Sequence, residues 1–131
     1  MLVDRENLIY YTGLTSIECM ALVVPASGKC VCITLGIDLP FIKKNCVISN
    51  VVGYAFPQSN LGEKLVQVIK EDMGFDSPRV GFSKYFVEFS VFDALHKGLR
   101  GMDFVDITDI LRVTDTGTEL FTEFPKEMIQ K

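Results

Sequence analysis

The sequence predicts a single domain of the α/β or α+β class, with five or six strands and helices between them. Three observations support this prediction. Short apolar runs bounded by Gly, Pro or Asp alternate with longer amphipathic segments. The 131 residues fit one domain of ordinary size. Because 48% of the residues are hydrophobic and 23% are charged, apolar burial can offset chain entropy and the chain is expected to fold.

The strand predictions begin with two apolar runs, Met20 to Val24 and Cys30 to Leu35. The turn Ala26-Ser27-Gly28-Lys29 separates them, and two short runs joined in this way are typical of an antiparallel hairpin. Three further short runs have the same character and are predicted to be strands: Val51 to Tyr54, Arg79 to Phe82 and Asp103 to Ile107.

The strongest helix signal follows Asn60. Apolar residues recur at helical spacing from Leu61 to Ile69, Glu63 is placed to complete a capping box, and Gly74 is placed to end the helix. A second helix is predicted from Val87 to Leu99, because Phe89, Phe92, Leu95 and Leu99 lie on one face.

Short helical turns are also predicted, at Asn7 to Tyr11, Asp38 to Lys43 and Thr108 to Arg112. Gly13, just beyond the first turn, is expected to adopt the left-handed conformation. Asp106 is expected to be the N-cap of the last turn.

Composition excludes several classes of partner. The net charge is -4 and Lys43-Lys44 is the only adjacent basic pair, so nucleic acid and anionic membranes are not expected to bind. No apolar run approaches the roughly 20 residues that span a bilayer, and Asp4, Arg5 and Glu6 interrupt any signal peptide. A cytoplasmic protein is therefore expected.

Residues suited to catalysis are scarce. A Ser or Cys nucleophile needs a His base, and the one His, His96, lies on the predicted second helix, where a surface or half-buried structural role is expected. The four cysteines, which include Cys30 and Cys32, lack the closely spaced pairs of zinc sites. Cys30 and Cys32 alternate with apolar residues, so they are expected to share one strand face as reduced thiols. We predict no catalytic, cofactor-binding or metal-binding residue in this chain.

The order of local motifs is more specific than any one of them. Glu6 to Gly13, which reads Glu-Asn-Leu-Ile-Tyr-Tyr-Thr-Gly, resembles the Asn-Ile-x-Tyr-Leu-Thr-Gly segment of creatinase/prolidase N-terminal domains. The hairpin that starts at Ala21-Leu22-Val23-Val24-Pro25 is similar to the one that follows there. Later family strands and the start of the family linker are matched by four segments, namely Val51 to Tyr54, Arg79 to Phe82, Gly101 to Asp106 and Asp109 to Arg112.

The resemblance runs from about Glu6 to Glu119 and implies a mixed sheet of about six strands flanked by helices, of the ribonuclease H-like type. It places the domain at residues 1–113 and the start of a linker toward a catalytic domain at 114–131. Two departures stand out. Met1-Leu2-Val3 lies where the first family strand should be, without the helix that usually precedes it. Asp115 stands where the family linker usually has Lys.

The resemblance implies a non-catalytic domain of an Xaa-Pro dipeptidase or aminopeptidase, which contributes to dimerisation and to active-site access. Two divalent metal ions, held by two Asp, a His and two Glu, are then expected in a catalytic domain outside this chain. The implied partners are that catalytic domain and a second subunit in a homodimer, with peptide substrate bound only by the full enzyme. The chain would be a fragment or a truncated product.

Two alternatives remain open. The chain could be a stand-alone protein-binding module, similar to the inactive peptidase-like domains of some histone chaperones. It could also be the N-terminal domain of a creatinase-like amidinohydrolase. In either peptidase or amidinohydrolase, the loop Leu14-Thr15-Ser16-Ile17-Glu18 is expected to face the catalytic cleft or an interface, with an ordinary polar connection as the competing interpretation.

Overall fold

A computed structural model of the chain describes residues 1–15, 18, 20–83 and 85–107 in full, and the backbone of residues 111–114 and 117–120. Four α-helices and seven strands lie within these residues. In chain order they are α1 (Arg5–Thr12), β1 (Ala21–Val23), β2 (Val31–Leu35), α2 (Leu39–Asn45), β3 (Val51–Tyr54), α3 (Leu61–Gln67), β4 (Arg79–Phe82), α4 (Phe89–Gly98), β5 (Asp103–Asp106), β6 (Leu111–Thr114) and β7 (Gly117–Leu120). The α/β class is therefore correct.

The strands form a mixed arrangement. β1 and β2 pair antiparallel with Leu22 opposite Cys32, which confirms the predicted hairpin, and β3 is parallel to β2. β4 and β5 pair parallel, with Val80 opposite Phe104. All five strands predicted from apolar runs are present, and their bounds differ from the predictions by at most one residue at either end.

The segment Met1–Val3 lies between these two sheets. Leu2 donates a backbone hydrogen bond to Leu22 and accepts one from it, both at 2.9 Å, which forms a single antiparallel bridge with β1. The α-amino group of Met1 donates to the carbonyl oxygen of Gly81 in β4 at 2.7 Å. The strands β5, β4, β1, β2 and β3 thus lie in one row, with Met1–Val3 in a rudimentary sixth position between β4 and β1.

Helices cover both faces of this row. On one face the buried cluster joins β1, β2, β4 and the helices α3 and α4, and includes Ile33, Leu65 and Leu95. On the other face α1 and α2 cover a second cluster, which includes Leu8 and Ile42. Val31 and Ile33 belong to the first cluster while Cys30 and Cys32 belong to the second, because successive side chains of a strand point to opposite faces.

The helices α3 and α4 approach closely at two glycines. A Cβ atom at Gly62 would lie 2.7 Å from the Cβ atom of Ala94, and one at Gly98 would lie 2.5 Å from a Cγ atom of Val66. Neither contact leaves room for a side chain without movement of a helix. These glycines therefore set the separation of the two helices that cover the larger core.

Local signals predicted α3 well and its continuation poorly. Asn60 accepts from the amide of Glu63, whose side chain accepts from the amide of Asn60, so the predicted capping box is present. Gly74 has φ +73°, as expected at the end of a helix. Between them, however, Val68–Asp72 is π-helical, and Met73 donates to the carbonyl oxygen of Val68.

The other helices differ from the predictions mainly in their bounds. α1 begins earlier than predicted because Asp4 is its N-cap, accepting from the amide of Asn7 at 3.0 Å. α2 begins at Leu39, one residue after the predicted start Asp38, and extends beyond the predicted end to Asn45. α4 begins at Phe89 and ends at Gly98, inside the range predicted from the apolar spacing.

Two predictions near the carboxyl end of the described residues are wrong. Asp106 is the last residue of β5, opposite Phe82, and is not a helix N-cap. Leu111 and Arg112 belong to β6, which pairs antiparallel with β7, and not to a helical turn; Thr108 to Ile110 lie outside the described residues. β-branched Val113 and Thr114 favour an extended backbone, and pairing with β7 outweighs the local helical signal. The domain boundary at Val113 stays a prediction.

In the part of the chain that the structure describes, no helix combines the length and the apolar character needed to cross a membrane.

Candidate functional site

The loop after α1 is held in place by two buried residues. The Thr12 hydroxyl, which is fully buried, donates to the carbonyl oxygen of Leu8 at 2.5 Å and accepts from the amide of Leu14 at 3.3 Å. Leu14 is itself 3% exposed and packs in the cluster beneath α1 and α2. Of the predicted loop residues, Leu14 is therefore an anchor beneath the surface.

Gly13 directs the chain into this loop. It has φ +71°, as predicted, and its amide donates to the carbonyl oxygen of Ile9 at 3.0 Å to close α1. A Cβ atom here would also lie 3.3 Å from a Cγ atom of Val47, whose amide donates to the carbonyl oxygen of Thr12. The residues after α2 thus support the end of α1 and limit the side chain at position 13.

Thr15 and Glu18 are exposed, whereas Ser16 and Ile17 lie outside the described residues. Glu18 lines a surface cavity of about 140 Å³ that also contacts the start of α1 and the segment before α4. Two further charged residues line it, Arg5 and Glu88. Phe86, which is 54% exposed, forms part of its apolar wall.

This cavity brings together residues that the sequence did not connect with Glu18. Arg5, Phe86 and Glu88 belong to two segments about 80 residues apart in the numbering, and each is unremarkable within its own segment. The resemblance to the family predicted the loop with Glu18 as a candidate, and the polar composition of the loop was compatible with that role. No local signal could have identified the residues across the cavity, because their proximity depends on how the two sheets are joined.

Exposed aromatic side chains lie on α1 and around the start of α4. Tyr10 is 80% exposed on α1 and contacts Tyr11 edge to face, with ring centroids 5.1 Å apart. Tyr85, Phe86 and Phe89 are exposed between β4 and the first turn of α4. Large exposed apolar groups of this kind are typical of surfaces that contact another domain or subunit.

The surroundings of His96 and of the described cysteines are those of structural residues. His96 is exposed on α4 and stacks on Phe92, with ring centroids 6.1 Å apart, in agreement with the predicted surface role. Burial raises the pKa of the Cys32 thiol to about 12, and the nearby Cys46 thiol adds to the shift. Cys30, Cys32 and Cys46 are free thiols. Among the described residues, no three His, Cys, Asp or Glu side chains are grouped so that they could hold a metal ion.

These features define an α/β domain of mixed sheet and two helical layers, with a polar loop and exposed aromatic groups at the surface. The family model of the Creatinase/Prolidase N-terminal domain matches residues 1–115, and the chain belongs to this family. No curated protein matches the sequence.

Solved structures of the same fold are similar along most of the chain. The N-terminal domain of an Xaa-Pro dipeptidase from Lactobacillus brevis has a TM-score of 0.70 at 22% identity, covering 82% of this chain and 81% of that one. The N-terminal domain of a cytoplasmic peptidase from Mycobacterium tuberculosis has a TM-score of 0.62 at 21% identity, with 80% and 77% covered. An Xaa-Pro dipeptidase from Bacillus anthracis has a TM-score of 0.62 at 16% identity. The match covers 80% of this chain and 27% of the dipeptidase.

The first prediction concerns Gly13. Gly13→Val should destabilise the domain by about 1 to 3 kcal/mol, because a β-branched side chain is unfavourable at positive φ and meets Val47. Gly13→Asn should cost less, since Asn tolerates the left-handed conformation. Urea unfolding of the three proteins measures both effects. Equal stability of Gly13→Val and the parent protein would contradict the role assigned to this glycine.

Proposed function

We propose that this chain is the non-catalytic N-terminal domain of a metal-dependent Xaa-Pro dipeptidase or aminopeptidase, and that it contributes to dimerisation and to active-site access. The observation that carries the proposal is the match of its fold to N-terminal domains of Xaa-Pro dipeptidases along about four fifths of the chain. The family membership of residues 1–115 supports it. A cytoplasmic location is part of the proposal, supported by the similar domain of a cytoplasmic peptidase.

The proposed partners are a catalytic domain of the same protein and a second subunit. The surface around Glu18 suits such contacts, because Phe86 exposes apolar area beside the charged groups of Arg5, Glu18 and Glu88. Aromatic and Arg side chains are enriched where proteins meet. Contacts of this surface with a neighbouring cleft would let Thr15 and Glu18 influence access of the substrate.

The two divalent metal ions belong, in this proposal, to the catalytic domain. The described residues of this chain do not fit a binuclear metal site, because their carboxylates and thiols are not grouped around a common point. Peptide hydrolysis is accordingly assigned to the other domain. This chain would instead contribute to dimerisation and to active-site access.

The second prediction separates the domain from the enzyme. The 131-residue chain should not hydrolyse an Xaa-Pro dipeptide with added manganese, cobalt or zinc, whereas a protein extended into the catalytic domain should do so in a metal-dependent way. Release of proline is measured in both. Metal-dependent hydrolysis by the 131-residue chain, absent from a mock purification, would overturn the assignment. If an extended reading frame has no such domain, a stand-alone binding module is favoured.

The third prediction concerns Thr15 and Glu18. In the enzyme that carries this domain, Thr15→Ala and Glu18→Ala should lower kcat/KM by about tenfold or more, because the proposal gives this loop a role in active-site access. The free energy of unfolding should change by less than about 0.5 kcal/mol, since both side chains are exposed. The matched control is Glu71→Ala, an exposed carboxylate in the π-helical segment on the other face of the sheet. Thermal unfolding and kinetics are measured on the same preparations. Unchanged kinetics in both loop variants would leave the loop as an ordinary connection.

A further inference from the structure

The strand β3 lies at one end of the row of strands and has an open edge. Its other edge faces β2, where the carbonyl oxygens of Asn50 and Tyr54 accept at 2.9 and 2.7 Å from backbone amides of β2 and of the residue after it. Because alternate residues of a strand bond to the same neighbour, Val51 and Gly53 direct their N–H and C=O groups away from β2. Among the described residues, these outward groups have no backbone partner.

This edge lacks the charges that commonly protect the edge of a sheet. The segment from Asn45 to Gly62 contains β3 and is the longest stretch of the sequence without a charged residue. Edge strands of monomeric proteins often carry charges, which oppose pairing with another chain. At the other end of the row, β5 has this protection, because Asp103 and Asp106 lie at its two ends. Of these two edges, β3 is therefore the one that can accept a further strand.

The β3 edge is complementary to a second copy of itself. When two β3 strands run antiparallel about a two-fold axis at Val52, Val51 of each copy lies opposite Gly53 of the other. Both residues present their N–H and C=O groups outward, so each of these pairs can exchange hydrogen bonds. The Val52 side chains, half-buried on the face that α3 and α4 cover, then lie opposite each other. Apolar pairs of this kind stabilise neighbouring strands.

Exposed apolar side chains flank the strand at both ends. Val47, which precedes β3, is 73% exposed, and Phe56, which follows it, is 72% exposed. In an antiparallel pair, the start of one strand lies beside the end of the other, so Val47 of one copy comes to the same end as Phe56 of its partner. Burial of these side chains would add apolar contact to the backbone hydrogen bonds at both ends of the pair.

We propose that β3 pairs antiparallel with β3 of a second copy of this chain, so that the sheet continues from one copy into the other. This pairing rests on the dimerisation part of the proposed function and assigns a surface to it. The buried side chain of Val51 packs beneath α1 and α2, which keeps the edge in a fixed conformation for the partner. Because the contact is small, the isolated chain should associate weakly.

Sedimentation equilibrium of the 131-residue chain measures this association. The average mass should rise toward that of a dimer as the concentration approaches about 1 mM, since small interfaces bind weakly. Hydrogen exchange of the Gly53 amide should slow as the dimer fraction rises, because the amide becomes bonded to the partner. The control is the Phe104 amide, which is directed outward at the β5 edge by the same alternation. Its exchange should not depend on concentration.

Charged residues at position 52 test the position of the two-fold axis. Val52→Lys and Val52→Asp should each weaken self-association by about tenfold or more, because like charges then face each other across the axis. An equal mixture of the two variants should associate again, since opposite charges face each other. Val105→Lys, the matched change on β5, should leave association unchanged.

The proposal is overturned if the chain stays monomeric over this range, or if it associates while exchange of the Gly53 amide is independent of concentration. A mixture of folded Val52 variants that stays monomeric would overturn it as well. Exchange at Gly53 is measured on the unmodified protein and decides the matter even if a variant is unstable. Peptidase activity of an extended protein is a separate measurement, so failure of the strand pairing would leave the assignment of the domain in place.

Discussion

Three backbone hydrogen bonds around Met1 and Leu2 join the two sheets of this domain. Leu2 pairs with Leu22 on one side, and the Met1 amino group reaches Gly81 on the other. The larger core depends on this junction, because its buried residues come from both sheets, including Val23 of β1 and Val80 of β4. Hydrogen bonds contribute about 1 kcal/mol each, so the main effect of the junction is to position apolar surface for burial.

The arrangement of the candidate site follows from the same junction. The loop that carries Glu18 follows α1, which packs on one side of the sheet, while Phe86 and Glu88 follow β4. Only when the two sheets are in register do these residues line one cavity. Because the exposed loop and aromatic side chains lie outside the close-packed cores, these residues can differ to suit a partner without disturbing the fold.

The sequence predicted the features of the structure that depend on residues close together in the chain. The capping box at Asn60, the left-handed Gly13 and the hairpin through Gly28 were accessible because each depends on neighbouring residues. The π-helical Val68–Asp72 was not, since its pattern of apolar residues is the same as that of an α-helix. The resemblance predicted only that Met1–Val3 occupies a strand position in the family sheet. Its contacts could not be predicted, because the bridge to Leu22 and the bond to Gly81 involve residues about 20 and 80 positions away. Glu18 was predicted from its loop, but the cavity beside it depends on long-range packing.

The pKa of the Met1 α-amino group tests this account most directly, because it reports whether the segment is buried between the sheets. It can be measured by NMR titration of the protein labelled at Met1, with mass spectrometry to confirm that the chain begins there. The account predicts a pKa of about 6, lowered from 8.0 by burial. The folded state then binds fewer protons than the unfolded state between these values, so stability should rise by roughly 2 to 3 kcal/mol as the pH increases from about 6 to 8. A pKa near 8, with stability that does not change with pH over this range, would show that Met1 lies in solvent and that the two sheets are not joined as described.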